Sequence, residues 1–309
     1  MNENQKTHPF EKNLKKIIET FYKAEKNKKE NDIKYISWIK TICSPNFNLI
    51  SNISSYINEK KLNHEIRENL FKMIKKLILF ENKNIINQIN ENETLLNYFM
   101  KYFINHNVNK ISENFIFIFC KILKKKIFDK MINENIIKKL FLCLEIINNE
   151  ELIYIVVWKL IKINFYFNKE NKENIFIKIF NEILFKRVFI ELILNILNQE
   201  IIYDKKIYKI ILCLYNILES NNDFIFYTND FEIFIDIFIK EFEITSDIEI
   251  KFYFLKTFHK ISSNFPCNNN KLYRKEEIFN LLNELNDKYN NNENKLKNPI
   301  NDILNNLNS

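Results

Sequence analysis

The chain has no glycine in 309 residues, and this absence restricts its possible folds more than any residue it contains. Type I′ and II′ turns need positive φ at their centres, so a fold made of many two-residue β-hairpins is disfavoured. Gly-rich phosphate loops, the dinucleotide fingerprint, the nucleophile elbow and the EF-hand turn are removed at the same stroke. Asparagine is abundant and can take the left-handed position that closes a helix, so helices remain easy to end.

Hydrophobic residues make up 46% of the chain, enough to bury a large core as one extended domain or two compact ones. The formal charge is +7, but it is almost all lysine, scattered among Glu and Asn in the manner of an AT-rich coding bias. The only arginines are Arg67, Arg187 and Arg274, and Lys124 to Lys126 read as a solvated helix surface. A basic groove wants clustered Arg and aromatics, so no nucleic-acid partner is expected. The five cysteines Cys43, Cys120, Cys143, Cys213 and Cys267 show no paired spacing and read as reduced residues of an intracellular protein. Residues 1–5 carry no basic-then-apolar leader pattern. The greasiest segment, residues 152–167, is interrupted by Lys159 and Lys162, so no membrane insertion is expected.

Apolar residues recur at helical spacing along the chain. Residues 1–8 are expected to be flexible, and Pro9 suits the first turn of a helix carrying Leu14, Ile17, Ile18 and Phe21. Ile33, Ile36, Ile39, Ile42 and Cys43 make a second stripe ended by Ser44-Pro45. Ile50, Ile53 and Ile57 make another, and Leu62, Ile66, Leu70, Ile74 and Leu77 the next. Polar clusters then separate helices at about 94–105, 113–131, 134–147, 150–166, 173–185 and 187–198. The run Phe115 to Phe119 has strand-favouring residue types. It continues unbroken into Cys120-Lys121-Ile122-Leu123 behind the cap candidates Ser112 and Asn114, and length decides for helix, with a strand as the alternative.

The segment 226–240 adds a helix start. Asn229 and Glu232 have the spacing of a capping box, and Phe231, Phe234, Ile235, Phe238 and Phe242 form one stripe. Asp236 and Lys240 lie one turn apart and can pair. Ser246 and Glu249 repeat the capping pattern before the Phe254, Phe258, Ile261 and Phe265 stripe, which Pro266 stops. Ile278, Leu281, Leu282, Leu285 and Tyr289 follow. Residues 290–309 read as an Asn-rich tail whose weak terminal helix, with Asn298 as cap and Ile300, Ile303, Leu304 and Leu307 aligned, docks only partly. Ten to thirteen amphipathic helices joined by short loops predict an all-α fold over residues 9–289, an armadillo/HEAT-like α-solenoid, with a compact orthogonal helical domain as the alternative.

Catalytic chemistry is thin in this sequence. His8, His64, His106 and His259 are far apart, with no H-E-x-x-H and no zinc spacing, and no Ser or Cys carries an oxyanion-hole motif. No catalytic residue, metal, cofactor or small-molecule substrate is expected. A rigid helical surface for a protein partner remains.

Three ordered blocks carry a resemblance: Phe226-Tyr227-Thr228-Asn229-Asp230 with residues 235–241, residues 250–258, and Tyr273-Arg274-Lys275-Glu276-Glu277-Ile278. Over residues 223–285 the chain resembles the leucine-rich domain of the WISH/DIP family. That resemblance implies an armadillo-type domain that binds and activates the actin-related protein 2/3 complex, seeding unbranched actin filaments, and a cytoplasmic, cytoskeleton-associated protein acting on actin indirectly. Verprolin-type activators use an acidic segment bearing Trp; here the only tryptophans are Trp38 and Trp158, inside helical stretches, so activation is expected to come from the folded surface. Lys240 and Lys251 stand where the family carries Arg, and lysine cannot make a planar bidentate contact. The expected contact residues are Lys251, Lys256, Arg274 and Lys275, for which no cap or core role is visible, with Lys240 and Asp236. Tyr227, Thr228, Asn229, Asp230 and Glu232 form the motif and cap.

Overall fold

The computed structural model describes residues 16–20, 49–59, 62–80, 82–123, 132–170, 173–199, 204–220, 226–264, 272–289 and 295–308. The expectations for residues 1–8, Pro9, Leu14, Phe21, residues 33–47, Lys124 to Lys126, Phe265 and Pro266 lie outside them, as do Cys43 and Cys267. Among the described residues every regular element is helical, so the chain is all-α. The helices are α1 (Leu49–Glu59), α2 (His64–Phe80), α3 (Asn82–Glu91), α4 (Glu93–Asn105), α5 (Glu113–Ile122), α6 (Glu134–Ile146), α7 (Glu150–Lys169), α8 (Ile175–Glu182), α9 (Lys186–Gln199), α10 (Asp204–Ser220), α11 (Thr228–Ile244), α12 (Ile248–Asn264), α13 (Lys275–Tyr289) and α14 (Lys297–Asn308), with a short 3-10 turn at Val108–Lys110.

Asparagine starts these helices more than it ends them. The side chains of Asn63, Asn92, Asn133, Asn149 and Asn174 each accept from an amide three residues on, at 2.9 to 3.4 Å, and Ser112 does the same for Phe115. The expected left-handed Asn closures do not occur among the described residues. His106, Leu123, Ile147, Ile183 and Thr245 end their helices in extended or near-extended backbone, and their N–H groups reach back to the carbonyl four residues earlier. Among the described residues the one positive φ is at Arg274, 54°. These five helices thus end without glycine by turning straight into extended or near-extended backbone, which any residue can adopt.

The chain divides into two compact units, Met1–Val156 and Val157–Ser309. In the first, α2 packs on α3 and α5, α1 on α3 and α4, and α4 on α6. The 115–119 run is helical and buried on all sides, which explains why its sequence lacks a polar face. Phe103 stacks on Phe119 with centroids 4.0 Å apart, and Phe71 meets Phe115 at 4.9 Å. The ammonium of Lys139 on α6 closes the C-terminal end of α4. It donates to the carbonyls of Phe103 (2.8 Å), Ile104 and His106 (2.7 Å), where the helix dipole also favours a cation.

In the second unit the helices from α8 onward pack on the next or on the one after: α8 on α10, α9 on α10 and α11, α10 on α12, α11 on α12, α12 on α14 and α13 on α14. The predicted Phe stripe of α11 is buried, and Phe238 lies 4.9 Å from Phe242 and 5.0 Å from Phe258. The terminal helix departs from expectation. Leu296, Ile300 and Ile303 are fully buried, and α14 packs on both α12 and α13. Its four-residue apolar stripe lacks the strength to hold a helix alone, and two partners supply the rest.

Candidate partner-binding surface

The residues singled out in the sequence fall on α11, α12 and the start of α13. Helix α11 begins two residues earlier than the Asn229–Glu232 spacing predicts. Tyr227 occupies the N-cap, and the carboxylate of Asp230 reaches back to accept its N–H at 3.0 Å. Asp230 is buried, whereas Thr228 and Asn229 are exposed within the first turn. The correction follows from the dipole: the residue at the third helical position can be a carboxylate facing unsatisfied amides, and Asp230 does this better than Glu232, two residues further on. The Tyr227 ring carries the Arg187 guanidinium at 3.5 Å, and Arg187 also pairs with Glu191 at 2.7 Å. At the next helix start the cap is Asp247, not Ser246. Its carboxylate accepts from Glu249 N at 2.8 Å and Ile250 N at 3.3 Å.

Asp236 does not pair with Lys240. It accepts from Arg274 at 2.7 Å and from the Tyr273 hydroxyl at 3.4 Å, while Arg274 also bonds Glu277. This clasp joins α11 to the residues leading into α13. The two carboxylates raise the Arg274 pKa, and Arg274 holds Glu277 below the usual carboxylate range. A guanidinium reaching two acids across two helices outcompetes an exposed i, i+4 lysine, which must order a long side chain for a single contact. Lys240 instead lies 3.8 Å from Glu241 and stays half exposed.

The basic candidates have different neighbours. Lys251 has a packing role that the sequence hid: it is only 8% exposed, with its ammonium 5.0 Å above the Phe242 ring. Burial lowers its pKa, and the nearby Lys288 lowers it further. Lys256 is half-buried with its ammonium 5.9 Å from the Phe252 ring. That ring also receives Lys295 at 4.4 Å, and Lys295 is bonded to Glu249 at 2.7 Å. Lys275 is half-buried at the first position of α13. The structure therefore brings Asp236 and Arg274 together and places Lys251 and Lys256 on one helix with separate aromatic partners.

Tyr273, Glu277, Arg187 and Lys288 complete these contacts: Tyr273 and Glu277 lie in the third sequence block, where no contact was assigned to them, and Arg187 and Lys288 act on residues of other helices, which spacing does not show. His259 is half-buried, its pKa lowered by burial and by Lys256 and Lys260 against the pull of Asp302. Among the described residues no group of three or more His, Cys, Asp or Glu is placed to hold a metal, and no helix is long and apolar enough to cross a membrane. The first unit contains a cavity of about 740 Å³ lined by His64, Glu65, Glu68 and Lys72 among others.

Fold and surface together define an all-α protein whose distinctive polar residues lie at helix starts and between helices. Comparison with protein-family models, with curated proteins and with solved structures finds no match to the chain.

Proposed function

We propose that the chain is a non-enzymatic regulator of actin nucleation that binds the actin-related protein 2/3 complex and favours its active, short-pitch arrangement, seeding unbranched filaments. The observation that carries this reading is the resemblance of three ordered sequence blocks to the WISH/DIP leucine-rich domain, now located on three helices of one unit, α11, α12 and α13. The packing of helices α8 to α14 on the next or the one after in that unit supports stacked armadillo/HEAT-type layers, which leave an extended face for a partner. The mechanism is a population shift: the surface must bind the active arrangement of the complex more tightly than the inactive one. Purified protein should accelerate actin polymerisation in the presence of the complex and the absence of filament seeds. No acceleration together with no binding to the complex rejects the proposal.

A second reading is an α-helical scaffold for another intracellular protein. It is favoured by the internal use of the motif residues: Asp230 caps α11, Asp236 and Arg274 clasp each other, and Lys251 packs on Phe242. A pull-down that recovers a reproducible partner and lacks the complex supports it.

A further inference from the structure

We infer that the cavity of the first unit, lined by residues 18–19, α1 and the first half of α2, binds an aliphatic di- or polyamine. Its ammonium groups meet Glu19, Glu65 and Glu68, and its methylene chain lies on Ile18 and Tyr56. At about 740 Å³ the cavity has the volume of a small-molecule site. Its lining is of two kinds. Ile18 and Tyr56 are each 9% exposed and supply apolar surface, whereas Glu19, Glu65 and Lys72 are exposed and Glu68 is half-buried. Glu65, Glu68 and Lys72 follow at i, i+3 and i+7, so one face of α2 presents them together.

The polar groups of this lining are uncommitted. Among the described residues Glu19, Glu65 and Glu68 make no ion pair or hydrogen bond, although Lys72 stands one turn from Glu68. The buried Tyr56 supplies a second, independent sign of a ligand. Its hydroxyl has no hydrogen-bond partner among the described residues and is not sealed away, so it opens into the cavity as an acceptor for an ammonium proton. Three carboxylates against one ammonium make the lining negative in a chain whose balance is +7, so a cation is drawn here rather than to the surface at large. A divalent metal needs its oxygens gathered around one point. Among the described residues no group of three or more His, Cys, Asp or Glu is so placed. Carboxylates spread around apolar surface instead match cations separated by methylene groups, each held by a charge-assisted bond.

The site belongs to the first unit and does not depend on the partner surface of α11 to α13, so failure in the polymerisation assay leaves it standing. The probe is the triamine spermidine, titrated into the full chain at fixed ionic strength and followed by isothermal calorimetry. Glu68→Gln should weaken binding by roughly tenfold and Tyr56→Phe by roughly threefold. Butylamine, with one ammonium, should bind at least tenfold more weakly than spermidine. Glu182→Gln removes an exposed carboxylate from the other unit and should leave binding unchanged. The site is overturned if spermidine does not bind, if Glu68→Gln binds as the parent does, or if Glu182→Gln loses as much as Glu68→Gln. If Glu68→Gln does not fold, the exposed Glu65→Gln decides, with unchanged binding overturning the site. Magnesium chloride displacing spermidine at equal concentration overturns the assignment to an organic cation, and butylamine binding as tightly as spermidine overturns the assignment to a di- or polyamine.

Discussion

Replacing Asp230 and Asn229 separately by alanine tests where α11 begins. Asp230→Ala removes the acceptor of the Tyr227 N–H, a bond of 3.0 Å made by a buried carboxylate in the first helical turn. Losing a helix cap costs about 0.5–2 kcal/mol, and losing a first-turn acid adds about 0.3–1 kcal/mol of dipole interaction. The two overlap, since the same oxygen serves both, so about 1–2 kcal/mol is expected. Asn229 is exposed inside the first turn, where alanine is the better helix former by up to about 0.7 kcal/mol. Asn229→Ala should therefore be neutral or slightly stabilising. Urea unfolding followed by circular dichroism measures both, with equal m values as the condition for comparison. For a unit of this size the Asp230→Ala loss corresponds to a fall in melting temperature of roughly 2–8 °C. If Asn229→Ala is the more destabilised variant, the cap lies where the sequence spacing put it and the reassignment is wrong.

Phe238→Ala empties a fully buried ring position between Phe242 and Phe258 and should cost about 3–5 kcal/mol in urea unfolding; a loss below about 1 kcal/mol means that the α11–α12 packing is misplaced. Lys139→Met leaves the carbonyls at the end of α4 without their cation and should cost on the order of 1 kcal/mol, with faster amide exchange confined to that helix end. Lys251→Met should leave stability at neutral pH within about 1 kcal/mol of the parent, because the buried part of the side chain is its stem, which methionine replaces. The folded-state pKa of Lys251 lies below the ordinary 10.5, so the unfolded chain binds more protons between the two values. The parent should accordingly gain stability relative to Lys251→Met as pH rises through that window, while the opposing effect of Tyr208, pushed up to about 12, cancels in the difference. A constant difference across that range refutes the lowered pKa.

The sequence by itself determined the fold class. Helical periodicity is a local property, so the stripes through Leu70, Ile74 and Leu77 and through Phe231, Phe234 and Phe238 can be read from spacing alone, and all of these residues are buried. Two helices went unread for opposite reasons. The few isoleucines of α3, Ile85, Ile86 and Ile89, sit in a polar stretch that resembles a linker, and α10 falls between the segments assigned on either side although it is the main packing partner of α12. Short-range polar contacts were less legible than helices. Asp236 could be paired by eye only with Lys240, because the sequence shows neighbours one turn away and hides Arg274, 38 positions on. Asn164 of α7 is similar: it accepts from Asn174 at 2.8 Å and from Asn216 at 3.5 Å, and nothing in its local context distinguishes it from a surface asparagine. Burial, too, belonged to the tertiary structure. Lys251 read as a free surface cation until α11 supplied Phe242 and α13 supplied Lys288. Missing glycine and the helical spacing of apolar residues act on backbone conformation within a few residues, so they determine which helices form. The charges that close helix ends, clasp α11 to α13 and set Lys251 over Phe242 act through space, and only packing decides which of them meet.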